Sequence, residues 1–311
     1  MSQLPLEDQG QKRQSPVISV VGGTGFVGSY LVLDLLQMGY SLHLLVNQTD
    51  PGLVSPRGQI KLFKGSIENE QALCECFAGS DIVYHLAGLI AETRHKTFRK
   101  TVSEGTAKLV AAARKTGVKK VIYVSALGAA ANARSIYYQT KWEAEQQVIN
   151  SGLDYTIFRP SIIYGLEDKF INRIAHMVKS LPVIPVIGNG RYQFQPVYVE
   201  ELCAIVARSA EADFTSRKIY EIGGAQALTY LEIIDIIKRI LRYRRGTVHL
   251  PVALMRPLAA LLTVVFKPAP LTVDQIEMMQ VGSTCDSSLV ERDFGVKFSS
   301  FENQLLKYLR R

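Results

Sequence analysis

Cysteine is scarce in this chain: four thiols in 311 residues, at Cys74, Cys76, Cys203 and Cys285. None forms a Cys-x-x-Cys pair and no histidine stands at finger spacing, so neither a zinc centre nor a disulfide framework is expected and the thiols are read as reduced. His43, His95, His176 and His249 likewise lack carboxylate or cysteine partners at ligand spacing, so no metal is expected. The amino-terminal MSQLPLEDQGQKRQS has no apolar core of the kind a cleaved secretory signal carries. It reads as a flexible tail over residues 1–14, on a protein of a reducing compartment, the cytoplasm or matrix side. Internal repeats and low-complexity tracts are absent. So is any uninterrupted apolar run of the ~20 residues needed to span a bilayer.

What is present is globular: 47% hydrophobic and 21% charged residues, with 23 glycines and 12 prolines, which excludes a disordered, collagenous or coiled-coil chain. Lysine and arginine number 36 against 28 acids, a net charge of +8, which favours an anionic ligand or an anionic surface. The length suits one large domain with a smaller part built onto it.

Six short apolar runs, Val17 to Val21, Leu42 to Val46, Ile60 to Phe63, Ile82 to Leu86, Val121 to Val124 and Tyr155 to Phe158, alternate with longer amphipathic stretches. That order predicts an α/β fold, a doubly wound parallel sheet of Rossmann type with helices on both faces. Val27, Leu31, Leu35 and Met38 mark one helical face that Gly39 stops, and a second long helix is predicted from Phe98 to Thr116, ended by Gly117. After Arg159-Pro160 the alternation lapses. Pro182, Pro185, Gly188 and Gly190 punctuate a loop-rich stretch before an apolar helix near Tyr198 to Ala207. The division expected is a nucleotide-binding domain over 15–165, rejoined by 197–222, and a smaller substrate lobe from 166–196 and 223–311.

Directly after the first strand stands Gly22-Gly23-Thr24-Gly25-Phe26-Val27-Gly28, where the first helix begins. Gly22 would permit the tight turn, Gly25 would let a pyrophosphate approach the backbone, and Gly28 would let helix and strand pack closely. The phosphates would meet the positive end of the helix. A glycine pattern flanked by strand and helix predicts dinucleotide binding. The coenzyme-selecting position at the end of the second strand is Asn47, which is neutral. Asp50, in Asp50-Pro51-Gly52, reads as a turn former, and Arg57 or Lys61 could meet a 2′-phosphate without the spacing selecting either.

A second constellation comprises Ser125 at the end of the fifth strand, Tyr137 and Lys141. Four residues apart on a helix, Tyr137 and Lys141 share a face, so an ammonium beside the phenol would lower its proton affinity. Ser125, delivered by a strand end to the ligand crevice, could hydrogen-bond a substrate oxygen. Together they form a carbonyl-reducing set, from which Tyr138 is excluded by its offset. His85, in a core strand, reads as a hydrogen-bonded structural histidine, and Trp142 as packing.

Gly22-x-x-Gly25-x-x-Gly28, His85-Leu86-Ala87-Gly88, Glu104-Gly105-Thr106, Val124 to Gly128, Tyr137-x-x-x-Lys141 and Arg159-Pro160-Ser161 follow the order of the short-chain dehydrogenase/reductase superfamily. From about Val17 to the C-terminus the chain resembles its extended or atypical branch. The stretches Arg159 to Phe170 and Phe194 to Val199 resemble, more narrowly, the group around the 39-kDa accessory subunit of respiratory complex I. The resemblance implies NADP(H) more than NAD(H). It also implies that Lys141 holds the nicotinamide ribose, Leu86 and Ala87 line the cofactor, and Pro160 packs by the nicotinamide. The chain departs from the pattern at Asn47, where an arginine is common, at Ser66, where an acid often meets adenine, and at Val102, where an asparagine is usual.

Lys238, Arg239, Arg242, Arg244 and Arg245 stand just before the apolar stretch Val248 to Phe266, which Pro251, Arg256 and Pro257 interrupt. A span is not expected there. A helix covering the core and an element lying peripherally on an anionic membrane are the two readings. The basic run has no nucleic-acid reader motif, so nucleic acid is not an expected partner. The function expected is an NAD(P)-dependent oxidoreductase or epimerase-like enzyme acting on a small molecule. The alternative implied by the resemblance is a non-catalytic nucleotide-binding accessory subunit or assembly factor of a respiratory NADH:ubiquinone oxidoreductase.

Overall fold

The β-branched runs become strands and the amphipathic stretches between them become the covering helices. The computed structural model describes residues 16–47, 58–89 and 91–309. In chain order the first half comprises β1 (Val17–Val21), α1 (Phe26–Gln37), β2 (Ser41–Val46), β3 (Ile60–Lys64), α2 (Glu70–Phe77), β4 (Ile82–His85), a π-helical turn (Arg99–Glu104), α3 (Gly105–Thr116), β5 (Lys120–Val124), α4 (Ile136–Ile149) and β6 (Asp154–Pro160). There follow β7 (Ile163–Tyr164), α5 (Ile171–Ser180), β8 (Val183–Ile187), β9 (Gln193–Phe194), β10 (Val197–Tyr198), α6 (Val199–Arg208), β11 (Lys218–Ile222), β12 (Leu228–Thr229), α7 (Tyr230–Leu241), β13 (Gly246–Leu250), α8 (Val252–Val265), α9 (Val273–Val281), α10 (Ser288–Phe294) and α11 (Phe301–Leu309).

The main sheet runs β11-β6-β5-β4-β1-β2-β3, and all its pairs are parallel. Every run expected as a strand is one, but the sheet has seven members rather than six. The seventh, β11, alternates half-buried and buried residues and carries Lys218 and Glu221, so it lacks the continuous apolar signal of a central strand. It pairs with β6 in register Thr156 to Lys218. The three remaining two-stranded ladders, β7 with β10, β9 with β12 and β8 with β13, lie outside this sheet.

Period-two alternation loads both faces of the sheet. On β5, Ile122 and Val124 join one core with Leu31, Leu35 and Leu202, while Val121 and Tyr123 join the other with Leu73, Leu109 and Ala144. Thus α1 and α6 cover one face and α2, α3 and α4 the other. The hydroxyl of Tyr84 on β4 donates to the carbonyls of Val206 and Ala207, at 3.1 and 3.0 Å, which fixes α6 to the sheet.

Two helix readings need correction. The buried face of α1 is Gly28, Leu31, Val32 and Leu35; Val27 is half-buried and Met38, already the C-cap, is exposed. Gly39 follows in the left-handed region at φ +89°. The helix expected from Phe98 to Thr116 is regular only from Gly105, being π-helical before it, and ends as expected at left-handed Gly117, φ +78°.

Candidate functional site

The turn after β1 is shaped by what glycine lacks. Gly22 sits at φ +92°, and a methyl there would come within 2.7 Å of the Ala87 nitrogen and 2.8 Å of the Leu86 carbonyl carbon. A methyl on Gly28 would stand 2.1 Å from the Gly22 oxygen, so Gly28 is needed for helix and turn to touch. Gly25 differs: its nearest protein atom, the Gly22 oxygen, would be an ordinary 3.4 Å away. Space beside Gly25 is therefore open, while Gly25 itself is the N-cap of α1, with no side-chain cap and no acid in the first turn. Free helix N–H groups and open space at the positive end of a helix suit a phosphate. Exposed Thr24 and half-buried Phe26 and Val27 complete the turn.

From this turn a short path leads to the second constellation. Leu86 continues the β4 ladder, donating its N–H to the Val21 carbonyl at 2.8 Å, and with Ala87 it lies against Gly22. A methyl on the neighbouring Gly88 would stand 3.6 Å from Lys141 Nζ. Ser125, just past β5, is held by its N–H to the Phe158 carbonyl at 2.7 Å; it is buried, and its hydroxyl has no partner among the described residues. The Lys141 ammonium donates to the Val124 carbonyl at 3.0 Å, and lies 5.0 Å from the Tyr123 ring centre and 5.9 Å from that of Tyr137. Pro160 is buried at the end of β6, where its carbonyl accepts from Leu127 at 2.9 Å. Glycine turn, Leu86 to Gly88, Ser125 and Lys141 thus share the C-terminal edge of the sheet, where the loops of such a sheet bind ligands.

Burial sets the electrostatics. The Lys141 ammonium is pushed down to about 8, because burial disfavours its charge more than Glu145 supports it. Burial pushes the Tyr137 phenol upward, and the neighbouring Tyr138 and Asp274 add to this. The expected lowering of the Tyr137 phenol by Lys141 is therefore not found: the ammonium is bonded to a carbonyl and loses its own charge readily. His85 is a structural histidine, pushed down to about 3 by burial and by Lys141; its Nε2 lies 2.8 Å from the Thr106 hydroxyl and its ring stacks on Tyr123. Tyr138 is buried with its ring against Gly128.

Asn47 is exposed at the end of β2, Ser66 is half-buried and accepts from the Glu68 N–H, and Val102 is buried in the π-helical turn. Asp50 to Gly52 and Arg57 lie outside the described residues.

Two supports of α4 have no motif to announce them. Glu145, two turns beyond Tyr137, has a fully buried carboxylate that receives Arg159 Nε at 2.9 Å and Nη2 at 2.6 Å, while Nη1 reaches Glu221 at 3.4 Å. The spacing Tyr137, Lys141, Glu145 is the one sequence signal that could have pointed to it. Asp274 on α9 accepts from the Ser135 hydroxyl at 2.9 Å and from the Ile136 N–H at 2.6 Å, capping α4 from 138 residues away in the chain. Among the described residues no cluster of histidine, cysteine and carboxylates could hold a metal, the cysteines are free, and no helix is long and apolar enough to cross a membrane.

Residues 18–223 match the model of the NAD dependent epimerase/dehydratase family. The chain is 30% identical over 296 residues to NADH dehydrogenase (ubiquinone) 1 alpha subcomplex subunit 9, mitochondrial, of Arabidopsis thaliana, covering 92% of this chain and 73% of that one. It is 26% identical to the mitochondrial NADH-ubiquinone oxidoreductase 40 kDa subunit of Neurospora crassa, covering 94% and 78%. In fold it is similar to a dTDP-glucose 4,6-dehydratase of Streptomyces venezuelae solved with NAD, with a TM-score of 0.75, 21% identity and coverage of 94% and 96%.

Proposed function

The chain belongs to the NAD-dependent epimerase/dehydratase family, and from that premise we propose that it binds a nicotinamide dinucleotide and reduces or epimerises a small molecule bearing a carbonyl or hydroxyl. The observation that carries this reading is the open space at Gly25, joined through Leu86 to Gly88 to the buried Lys141 and the unpartnered hydroxyl of Ser125. In it, Gly22, Thr24, Gly25, Phe26, Val27 and Gly28 hold the pyrophosphate, Leu86, Ala87 and Pro160 line the nicotinamide side, and Lys141 holds its ribose. The bound nicotinamide supplies hydride exchange. Ser125 orients the substrate oxygen, and Tyr137, whose buried phenol keeps its proton at neutral pH, serves as the proton donor.

NADP(H) is the preferred coenzyme in this reading, since Asn47 places no carboxylate at the end of β2 to bind a ribose hydroxyl or repel a 2′-phosphate. Residues 15–165 with 197–222 form the nucleotide-binding part and 166–196 with 223–311 the substrate lobe. The second reading, a non-catalytic nucleotide-binding accessory subunit, is favoured by the two respiratory-subunit relatives. It also fits Lys141, which is bonded to a main-chain carbonyl. In either reading the protein works on the cytoplasmic or matrix side, associated peripherally with an anionic membrane or a membrane complex.

Mass spectrometry of the nucleotide that co-purifies, followed by incubation with NADPH and a panel of ketones and quinones, separates the two. Turnover supports the enzyme; tight retention of nucleotide without turnover supports the accessory subunit. A chain that binds neither NADPH nor NADH sinks both.

A further inference from the structure

Helix α8 is built inside out. In a helix covering a protein core the apolar stripe faces inward and polar residues face water. Here Leu254, Leu258, Leu261 and Val265, spaced four, three and four apart, form an exposed stripe, with exposures of 68%, 44%, 60% and 60%; Val264 and Phe266 beside it are 79% and 51% exposed. The side turned to the protein carries the charge: Arg256 binds Glu277 at 2.6 Å and Gln280 at 3.0 Å on α9, next to fully buried Ala259. No charged residue lies on the outward stripe.

In the sequence on either side of the helix the charges have one sign. Between Asp235 and Asp274 the chain has no acid and seven cations, Lys238, Arg239, Arg242, Arg244, Arg245, Arg256 and Lys267. Lys238 and Arg239 are engaged by Asp235 and Glu302, and Arg256 by Glu277. Arg242, Arg244, Arg245 and Lys267 have no carboxylate within ion-pair distance among the described residues. Arg244 and Arg245 line, with Lys238 and Arg239, a surface depression of about 510 Å³.

We infer that α8 lies in the interface of an anionic phospholipid membrane, its Leu254 to Val265 stripe among the acyl chains and the unpaired cations Arg242, Arg244, Arg245 and Lys267 at the headgroups. The inference deepens the peripheral-association reading above and rests on it. An apolar face needs a cover, and one whose chain neighbours on both sides are unneutralised cations is best matched by a cover that brings negative charge at the polar boundary. An acidic lipid surface supplies both. The helix, at 14 residues, is too short to span and long enough to lie in the plane.

The test is flotation of the full chain, purified with its nucleotide, on phosphatidylcholine vesicles with and without phosphatidylglycerol, alongside NADPH titration of every variant. The wild type is expected to float with the anionic vesicles at ~0.1 M salt, less at ~1 M, and not with phosphatidylcholine alone. Leu254→Glu with Leu261→Glu, both on exposed positions, is expected to lower partitioning more than tenfold while leaving NADPH affinity unchanged. Arg242→Ala, Arg244→Ala and Arg245→Ala together should lower it on the order of 100-fold. Flotation of the leucine variant at the wild-type level overturns the role of α8 but spares peripheral association. A wild type that never floats overturns both, and if it is then a dimer that Leu254→Glu with Leu261→Glu dissolves, the face belongs to a second copy of the chain. Nucleotide binding is read separately throughout, so loss of lipid binding does not bear on the proposed chemistry.

Discussion

The Lys141 ammonium is bonded to the main-chain carbonyl of Val124 at 3.0 Å, across from a Tyr137 ring whose centre is 5.9 Å away. The lysine thus ties α4 to the end of β5, where Ser125 begins. Burial pushes Tyr137 up and Lys141 down, so at neutral pH the phenol holds its proton and the amine is the group close to titration. The phenol is therefore in the protonated state a donor needs, though burial makes it hold that proton more tightly than a free phenol does.

A stability signature follows from the same burial. The Lys141 amine titrates at about 8 in the folded chain against 10.5 in the unfolded one. Between those values the unfolded chain binds more protons, so native stability rises with pH through that window, and below about 8 the full cost of the buried charge is present. Lys141→Met is therefore expected to stabilise the fold near pH 7 by roughly 1–3 kcal/mol, after the lost bond to Val124 is discounted. The gain should shrink toward about pH 10. Urea unfolding at the two pH values measures it, and a loss of stability at both would show that the amine is not a buried burden.

Gly25 and Gly28 should fail differently. A side chain at Gly28 collides with the Gly22 oxygen, so Gly28→Ala is expected to destabilise the fold by about 1–3 kcal/mol or more. The first side-chain carbon of Gly25→Val meets no such obstacle in the protein. It should leave the melting temperature near that of the wild type and abolish NADPH and NADH binding, because the branched side chain fills the space for the phosphates. Calorimetric titration beside thermal melts decides; undiminished affinity for both nucleotides would remove the phosphates from this turn.

Tyr137→Phe should lower turnover by about 10²–10⁴-fold, the range for loss of a general acid, without weakening nucleotide binding. Tyr138→Phe, whose ring is wedged under Gly128, should be nearly silent. Equal losses from the two changes would show that four-residue spacing to Lys141 does not identify the acid.

The parallel sheet was legible because its central strands are buried on both faces and read as continuous apolar runs. The edge strand β11 escaped because half its side chains meet solvent, and a mixed pattern such as Lys218 to Ile222 resembles many surfaces. The glycine turn was legible because Gly22 and Gly28 answer to backbone sterics that leave a local mark. Asp274 could not be foreseen: it caps α4 across 138 residues, and nothing near Ser135 in sequence signals it. The burial of Lys141 also escaped, since helical spacing says which residues share a face but not what that face meets. The spacing suggested an ammonium acting on a phenol, and the fold supplied the Val124 carbonyl instead.

Glu145 and Arg159 supply the sharpest test of how α4 is held. The Glu145 side chain is fully buried and the Arg159 side chain 21% exposed, in a two-point contact of 2.9 and 2.6 Å that joins α4 to β6 one residue before Pro160. Desolvating both ions offsets most of their attraction, so the pair adds little net stability, but either partner left alone is an uncompensated buried charge. Glu145→Gln and Arg159→Met are each expected to cost about 3–5 kcal/mol. Glu145→Met with Arg159→Met should cost far less than the sum of the singles, a coupling that urea unfolding of the four proteins reads directly. The single changes should also loosen the inner face that carries Tyr137 and Lys141, and so reduce turnover more than nucleotide affinity. If the two single costs simply add, water or Glu221 is satisfying Arg159, and α4 is positioned by Asp274 and by packing alone.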